Sequence, residues 1–122
     1  SEQTYQRLAC LAAQTLANGY PVIVDATHLK QAQRQLMRDA IEDQGAPCLI
    51  LHCDAPQASI EQWLKERQQA GTDVSDAGIE VMRHQLQEME PLDADEAALS
   101  IRVDTASDSA MSDLSEQLKK RL

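Results

Sequence analysis

The residues of this chain that are best placed to do chemistry are aspartates that follow short apolar runs. Asp25 follows the β-branched run Val22–Val24, Asp54 follows the apolar run Cys48–Cys53, and Asp104 follows Leu99–Val103, in which apolar and polar residues alternate as in a strand nearer a sheet edge. Runs of this length are typical of buried strands in parallel sheets, and open α/β sheets bind ligands at the carboxyl ends of such strands. We therefore expect the three carboxylates along one edge of a sheet, as the rim of an active site. The alternative for Asp25 is structural, with the carboxylate only capping the following turn or helix.

The elements that must position these carboxylates alternate along the chain. Apolar residues at helical spacing predict helices between three short strands, and this alternation requires parallel pairing through right-handed crossovers. The predicted fold class is α/β, a three-layer αβα unit with a parallel sheet of about three strands flanked by helices. In chain order we predict a helix over Gln3–Asn18, a strand over Val22–Ala26, a helix ending at Gly45, a strand over Cys48–Cys53, a helix from Pro56, a helix capped by Ser75, an acidic connector over Leu92–Ala97, a strand over Leu99–Val103 and a last helix capped by Ser107.

Composition narrows the class of protein. A chain of 122 residues predicts one domain, 1–122. The net charge of −9 repels phosphate backbones and anionic membrane surfaces, and three aromatic residues, two Tyr and one Trp, leave few rings for stacking bases, so nucleic acid is not the expected partner. Three cysteines without a C-x-x-C pair, no apolar run of membrane-spanning length and no secretory signal at the N-terminus predict a cytoplasmic protein.

Several kinds of site have no support in the sequence. His28, His52 and His84 lack the paired spacing of metal ligands and are interpreted as ordinary turn, strand and helix residues. The serines have no G-x-S-x-G context, and no dinucleotide-binding G-x-G-x-x-G occurs. These absences argue against a histidine metal centre, a serine hydrolase and a dinucleotide-dependent enzyme.

Seven short blocks, taken in order, resemble a known kinase domain. They are Tyr5-x-x-Leu-Ala, Gly19-x-x-Val-Ile-Val-Asp-Ala-Thr27, Arg34, Cys53-Asp-Ala-Pro56, Arg67, Gly71-x-Asp-x-Ser-Asp-Ala77 and Glu90-Pro-Leu92. In this order they are similar to the ATP-binding P-loop kinase domain that forms the C-terminal half of bifunctional aminoglycoside phosphotransferase and ATP-binding proteins. That domain is related to polynucleotide kinase and to zeta-toxin kinases. The resemblance runs over nearly the whole chain.

The resemblance implies transfer of the γ-phosphate of ATP, with Mg²⁺, to a hydroxyl acceptor, and the acidic balance favours a small-molecule alcohol. It implies that Asp25 is catalytic and organises the magnesium ion or the acceptor hydroxyl. Thr27 is expected in the same pocket. Arg34 is expected to reach the acceptor or a phosphate, and its alternative is a solvated surface charge.

The resemblance also assigns a lid and a region near adenine. Arg67 and the following loop match the mobile lid, about 67–76, whose arginine would steady the transferring phosphoryl group. The structural alternative is a salt bridge from Arg67 to a carboxylate such as Asp73. Trp63 stands where relatives often have a further lid arginine. Asp104 and Thr105 match the neighbourhood of the adenine pocket.

One required motif is absent from the sequence. A phosphate loop needs G-x-x-x-x-G-K-[ST], and none of the four glycines precedes a lysine. The chain therefore resembles the C-terminal part of a kinase domain. The strand expected between those ending at Asp25 and Asp54 is missing too, so the gap must be closed by rearrangement or by another chain, as in a homodimer. Two hypotheses stay open: a kinase fragment, or a non-catalytic α/β binding or regulatory module built on the same scaffold.

Overall fold

The computed structural model of the chain describes residues 1–71 and 78–122 and divides them between two compact units. The first unit consists of Ser1–Leu49 with Glu88–Asp95, and the second of Ile50–Gln87 with Glu96–Leu122. Whether they make up a single domain stays a prediction. The elements are helices α1 (Glu2–Ala17), α2 (Gln31–Asp43), α3 (Gln57–Gln69), α4 (Gly78–Glu88), α5 (Ala94–Ala98) and α6 (Ala110–Arg121), and strands β1 (Ile50–Asp54) and β2 (Ser100–Asp104).

The core of the first unit lies between α1 and α2. Ala9 and Ala12 of α1 pack with Met37 of α2, and all three side chains are buried. The two alanines share one face of α1, because residues three apart are neighbours on a helix. Small side chains there leave room for the methionine, so the two helices form the frame that holds the next segment of chain.

That next segment is extended but is not a strand, and this corrects the prediction of a strand over Val22–Ala26. Val22 and Val24 pack against the core of the first unit, whereas the Ile23 side chain between them is 90% exposed. The side chains therefore alternate as in a strand. No segment within residues 1–71 and 78–122 makes ladder hydrogen bonds to it, and a strand exists only with a paired neighbour.

The sheet lies in the second unit and confirms the mixed α/β class with parallel pairing. β1 pairs with β2 in register from Ile50↔Ser100 to Asp54↔Asp104. Ile101 and Val103 are buried on one face of β2, while Arg102 between them is exposed. Within the described chain the sheet has two strands, fewer than the three or so that were expected, because the segment before Asp25 stays unpaired.

Smaller differences concern element ends. The acidic connector contains a short helix, α5, and the last helix begins at Ala110 with Ser109 as its N-cap, later than the expected cap. The predicted helix cap at Ser75 falls outside the described residues. Among the described helices, none is both long enough and apolar enough to cross a membrane.

Candidate functional site

The turn between the extended segment and α2 presents two of the predicted site residues. Asp25 and Thr27 are both exposed on it. Within the described part of the chain the Asp25 carboxylate makes no hydrogen bond or ion pair, so it is available to a ligand. Neighbouring residues of α1, α2 and a later segment hold the turn in place. We call residues 25–30 the Asp25 turn.

Tyr5 of α1 holds the Asp25 turn from one side. Its side chain is buried, with 8% exposed. The His28 backbone N–H donates to the Tyr5 hydroxyl over 3.1 Å, and the same hydroxyl lies 3.1 Å from Thr27 Oγ1. The Tyr5 ring meets the His28 imidazole edge-on, with 5.0 Å between ring centroids. Tyr5 therefore joins the backbone and a side chain of the turn to the helix.

His28 has a strained backbone and a buried ring atom. Its φ of +44° lies in the left-handed region that non-glycine residues rarely adopt. Nδ1 lies 3.4 Å from the Ala26 carbonyl, while Nε2 is buried and has no hydrogen-bond partner within residues 1–71 and 78–122. Burial lowers the pKa of His28, and the nearby Arg34 charge lowers it further against the opposing effect of the Ala26 carbonyl. This environment therefore favours the neutral imidazole.

Arg34 of α2 holds the turn from the other side. Its side chain is 5% exposed, so it is not a solvated surface charge. Nη1 donates to the carbonyl oxygens of His28 and Leu29 over 2.9 and 3.2 Å, and Nη2 donates to the Pro91 carbonyl over 3.2 Å. These bonds give the guanidinium a structural task. A contact from Arg34 to an acceptor or phosphate stays a prediction.

Residues 88–93 form a strap that ties the turn to the start of α2. The Gln31 backbone N–H donates to Glu90 Oε1 over 2.9 Å, and the Glu90 N–H donates to the Leu29 carbonyl over 2.8 Å. The first N–H groups of a helix have no partner within the helix, so the Glu90 carboxylate satisfies one of them. Its negative charge also interacts favourably with the positive end of the helix dipole. The strap gives the Glu90-Pro-Leu92 block a structural explanation, since both Glu90 and Pro91 bond to the turn or to the start of α2.

The strand ends of the second unit carry Asp54, Asp104 and Thr105. Asp54 and Asp104 are register partners at the carboxyl edge of the sheet. Asp54 Oδ1 accepts the Ala55 N–H over 2.9 Å, and Asp104 Oδ1 accepts the Ala106 N–H over 3.0 Å, so both carboxylates cap local turns. Thr105 donates its N–H and its hydroxyl to the Asp54 carbonyl over 2.9 and 3.1 Å.

The predicted site residues thus fall into two groups. Asp25, Thr27 and Arg34 come together at the Asp25 turn of the first unit, whereas Arg67, Asp104 and Thr105 belong to the second unit. Arg67 lies exposed in the last turn of α3 and has an interaction of its own. The remainder of the predicted lid beyond Gly71, including Asp73, lies outside the described residues.

A magnesium ion fits the chemistry of the Asp25 turn only in part. Mg²⁺ keeps several waters and is usually bound by one or two carboxylates together with substrate phosphates. Asp25 supplies one exposed carboxylate, and Thr27 adds a hydroxyl. Within residues 1–71 and 78–122 no three His, Cys, Asp or Glu side chains come together as a metal cluster. A nucleotide-borne magnesium suits this turn better than a tightly held structural ion.

Tyr5, His28 and Glu90 were not among the predicted site residues. Tyr5 and Glu90 are each the first residue of a block of the kinase-like resemblance, which is the signal that could have marked them. His28 was interpreted as an ordinary turn residue, and its positive φ depends on contacts from residues distant in sequence.

The comparison with protein families gives one match. Residues 1–92 match the model of a family described as AAA domain. No curated protein and no solved structure matches the chain. The matched range contains the Asp25 turn, Tyr5, Arg34 and the strap up to Leu92.

Proposed function

The chain belongs to the AAA domain family of P-loop NTPase and kinase-like domains, and on that premise we propose that it is the acceptor-side part of an ATP-dependent phosphotransferase. The reaction is transfer of the γ-phosphoryl group of ATP to the hydroxyl of a small molecule. The acceptor oxygen forms a bond to the γ-phosphorus, the bond from that phosphorus to the β,γ-bridging oxygen breaks, and ADP leaves.

The observation that carries the proposal is the Asp25 turn itself. It exposes a carboxylate and a hydroxyl while the turn around them is held by a buried tyrosine, a buried arginine and the strap. Catalytic groups must keep a fixed geometry because small displacements cost large factors in rate. Three separate sets of contacts fix the turn, yet the Asp25 side chain on it is exposed. This arrangement supports a functional role for Asp25 rather than a role as a turn or helix cap.

In the proposed site Asp25 contacts the nucleotide-borne magnesium ion or accepts the proton of the acceptor hydroxyl. Thr27 contacts the same ligand. For the second unit by itself, the assignments of Arg67 to a lid that neutralises charge on the transferring group and of Asp104 and Thr105 to the neighbourhood of adenine stay predictions. ATP supplies the phosphoryl group and Mg²⁺ offsets its charge. The 122 residues contain no G-x-x-x-x-G-K-[ST] motif. The loop whose backbone N–H groups bind the phosphates of ATP would therefore have to be supplied separately for the reaction.

Calorimetric titration with ATP and Mg²⁺ tests the proposal. We expect saturable binding by this chain that weakens in Asp25→Asn and is unchanged in Asp43→Asn, which removes another exposed carboxylate of the first unit. Incubation with ATP and a panel of small alcohols, followed by assay for ADP, then tests transfer. Absence of binding would refute a nucleotide site formed by this chain alone.

A further inference from the structure

The Tyr5 hydroxyl has two neighbours with different hydrogen-bonding capacities. The His28 backbone N–H, at 3.1 Å, can only donate, whereas the Thr27 hydroxyl, also at 3.1 Å, can donate or accept. A phenol has one proton and two lone pairs. The His28 N–H occupies one lone pair, so the phenolic proton still needs an acceptor.

Thr27 Oγ1 is the acceptor that the structure offers. Among the described residues no other acceptor lies within hydrogen-bond distance of the Tyr5 hydroxyl. Because the Tyr5 side chain is only 8% exposed, a proton not donated to Thr27 would be left without a partner at an unfavourable free energy. These hydrogen-bonding capacities favour Tyr5 as the donor and Thr27 as the acceptor.

This direction determines what Thr27 can offer to a ligand. A threonine hydroxyl that accepts one bond keeps its own proton for donation. Thr27 is exposed, so that proton can be directed to solvent or to a ligand. Two residues earlier the Asp25 carboxylate can only accept or bind a cation. The turn thus presents a hydrogen-bond donor beside an anionic acceptor.

We propose that Tyr5 is a positioning residue, which donates to Thr27 and so orients the Thr27 hydroxyl to donate to an oxygen of a bound phosphate group. The inference rests on the proposed function, since the phosphate is that of the nucleotide. Asp25 then serves the magnesium ion or the acceptor hydroxyl, and Thr27 serves a phosphate oxygen. A bond from a neutral hydroxyl to an anionic oxygen is stronger than one between neutral groups.

A double-mutant cycle on the intact chain tests this coupling. Tyr5→Phe removes the phenolic hydroxyl, and Thr27→Val removes the donor. We expect each to weaken the binding of ATP with Mg²⁺ about fivefold, the effect of losing one hydrogen bond, and the double variant to bind no more weakly than Thr27→Val. Thr27→Ser keeps a hydroxyl and should retain more of the binding than Thr27→Val does. Tyr20→Phe is the matched control because Tyr20 is 67% exposed.

The outcomes separate the inference from the proposed function. If the natural chain binds but Tyr5→Phe binds like Tyr20→Phe, the inference is overturned and the nucleotide site stands. If the Tyr5 and Thr27 effects multiply to about 25-fold in the double variant, they are independent, and positioning through Thr27 is overturned. If the natural chain does not bind, the proposed function and the phosphate assignment fall together.

Amide exchange of His28, measured by NMR without nucleotide, tests the contact itself. Tyr5→Phe should raise the exchange rate of the His28 amide about tenfold or more while amides in the middle of α2 keep theirs, because that amide loses its buried acceptor. An unchanged rate would overturn the role of Tyr5 regardless of nucleotide binding. Thr27→Val leaves the Tyr5 hydroxyl in place as the acceptor of that amide and should raise the rate less than Tyr5→Phe does.

Discussion

Replacing Arg34 by methionine removes the guanidinium that donates to the carbonyls of His28, Leu29 and Pro91. Methionine fills much of the same space, so the change tests the bonds more than the packing. We expect Arg34→Met to lower the free energy of unfolding by about 3 kcal/mol, in line with the loss of one partner from a buried polar network. Arg34→Lys keeps the positive charge but not the planar guanidinium with its several donors, and it should lower the free energy of unfolding by about 2 kcal/mol.

The magnitude follows from opposing effects in the structure. Each hydrogen bond from a charged donor contributes about 1.5–3 kcal/mol, and Arg34 makes three to carbonyls. Burying the cation offsets part of this, because desolvation costs several kcal/mol per ion and the Arg34 side chain is only 5% exposed. Removing it also takes a donor from the carbonyl oxygens of His28 and Pro91, whereas the Leu29 carbonyl keeps the Glu90 N–H.

Urea denaturation followed by far-ultraviolet circular dichroism measures the effect, and hydrogen exchange of residues 26–34 localises it. Arg38→Met is the matched control, since Arg38 lies one turn further along α2 and its buried Nε has no hydrogen-bond partner among the described residues. We expect that control to change the free energy of unfolding by less than about 1 kcal/mol.

Equal stability losses in Arg34→Met and Arg38→Met would refute the structural task of Arg34. If Arg34→Met kept full stability yet lost nucleotide binding, the bonds to the turn would be dispensable and a direct phosphate contact would be favoured. A large stability loss with the exchange of the Asp25 turn unchanged would contradict the proposed network, because the turn is where two of the three carbonyls lie.

Three further predictions concern groups around the turn and the core. Burial and the Arg34 charge lower the pKa of His28 in the folded chain below the unfolded value near 6.5. The neutral side chain therefore contributes to stability above that pH, and this contribution is lost as the pH falls through the folded pKa. Between pH 7 and 5, urea denaturation should show a smaller loss of stability in His28→Asn than in the natural chain. Burial raises the pKa of the Cys48 thiol, so in chains that keep one cysteine each, Cys48 should react with a disulfide reagent at pH 8 more slowly than the two exposed cysteines. Glu90→Ala removes the acceptor for the Gln31 N–H and should cost about 1 kcal/mol in denaturation, whereas Glu90→Gln keeps an oxygen and most of the stability; equal losses in both would contradict the cap.

Much of the fold follows from the sequence where the signal is local. The amphipathic pattern of α1 and the turn residues Asn18 and Gly19 placed that helix to within a residue at each end. The two parallel strands could be predicted because the first is a short apolar run between turn signals and the second alternates apolar and polar residues. The run Val22–Val24 has the same composition, yet it stays unpaired, since a strand depends on a neighbour that no local pattern specifies.

The candidate site could be predicted only in part for a related reason. Asp25 and Thr27 were identified because they directly follow an apolar run and belong to a recognisable block. The bond from Tyr5 to the turn spans 22 residues, and that from Glu90 to Gln31 spans 59. Contacts between residues so far apart in the sequence arise from tertiary packing, and the residue types alone do not predict them. Arg34 carried a functional expectation, yet it donates to the backbone carbonyls of His28, Leu29 and Pro91, and contacts to backbone groups leave no trace in side-chain patterns.

The extent of the family match bears on which site residues have support. Residues 1–92 match the family, and this range contains nearly all of the bonds that hold the Asp25 turn, from Tyr5 to Pro91. Asp104 and Thr105 lie beyond it, and their hydrogen bonds are already made to the local backbone at the strand ends. A nucleotide role for these two residues would require those bonds to rearrange, whereas Asp25 needs no such change. We therefore expect substitution of Asp25 to weaken nucleotide binding more than substitution of Asp104 does.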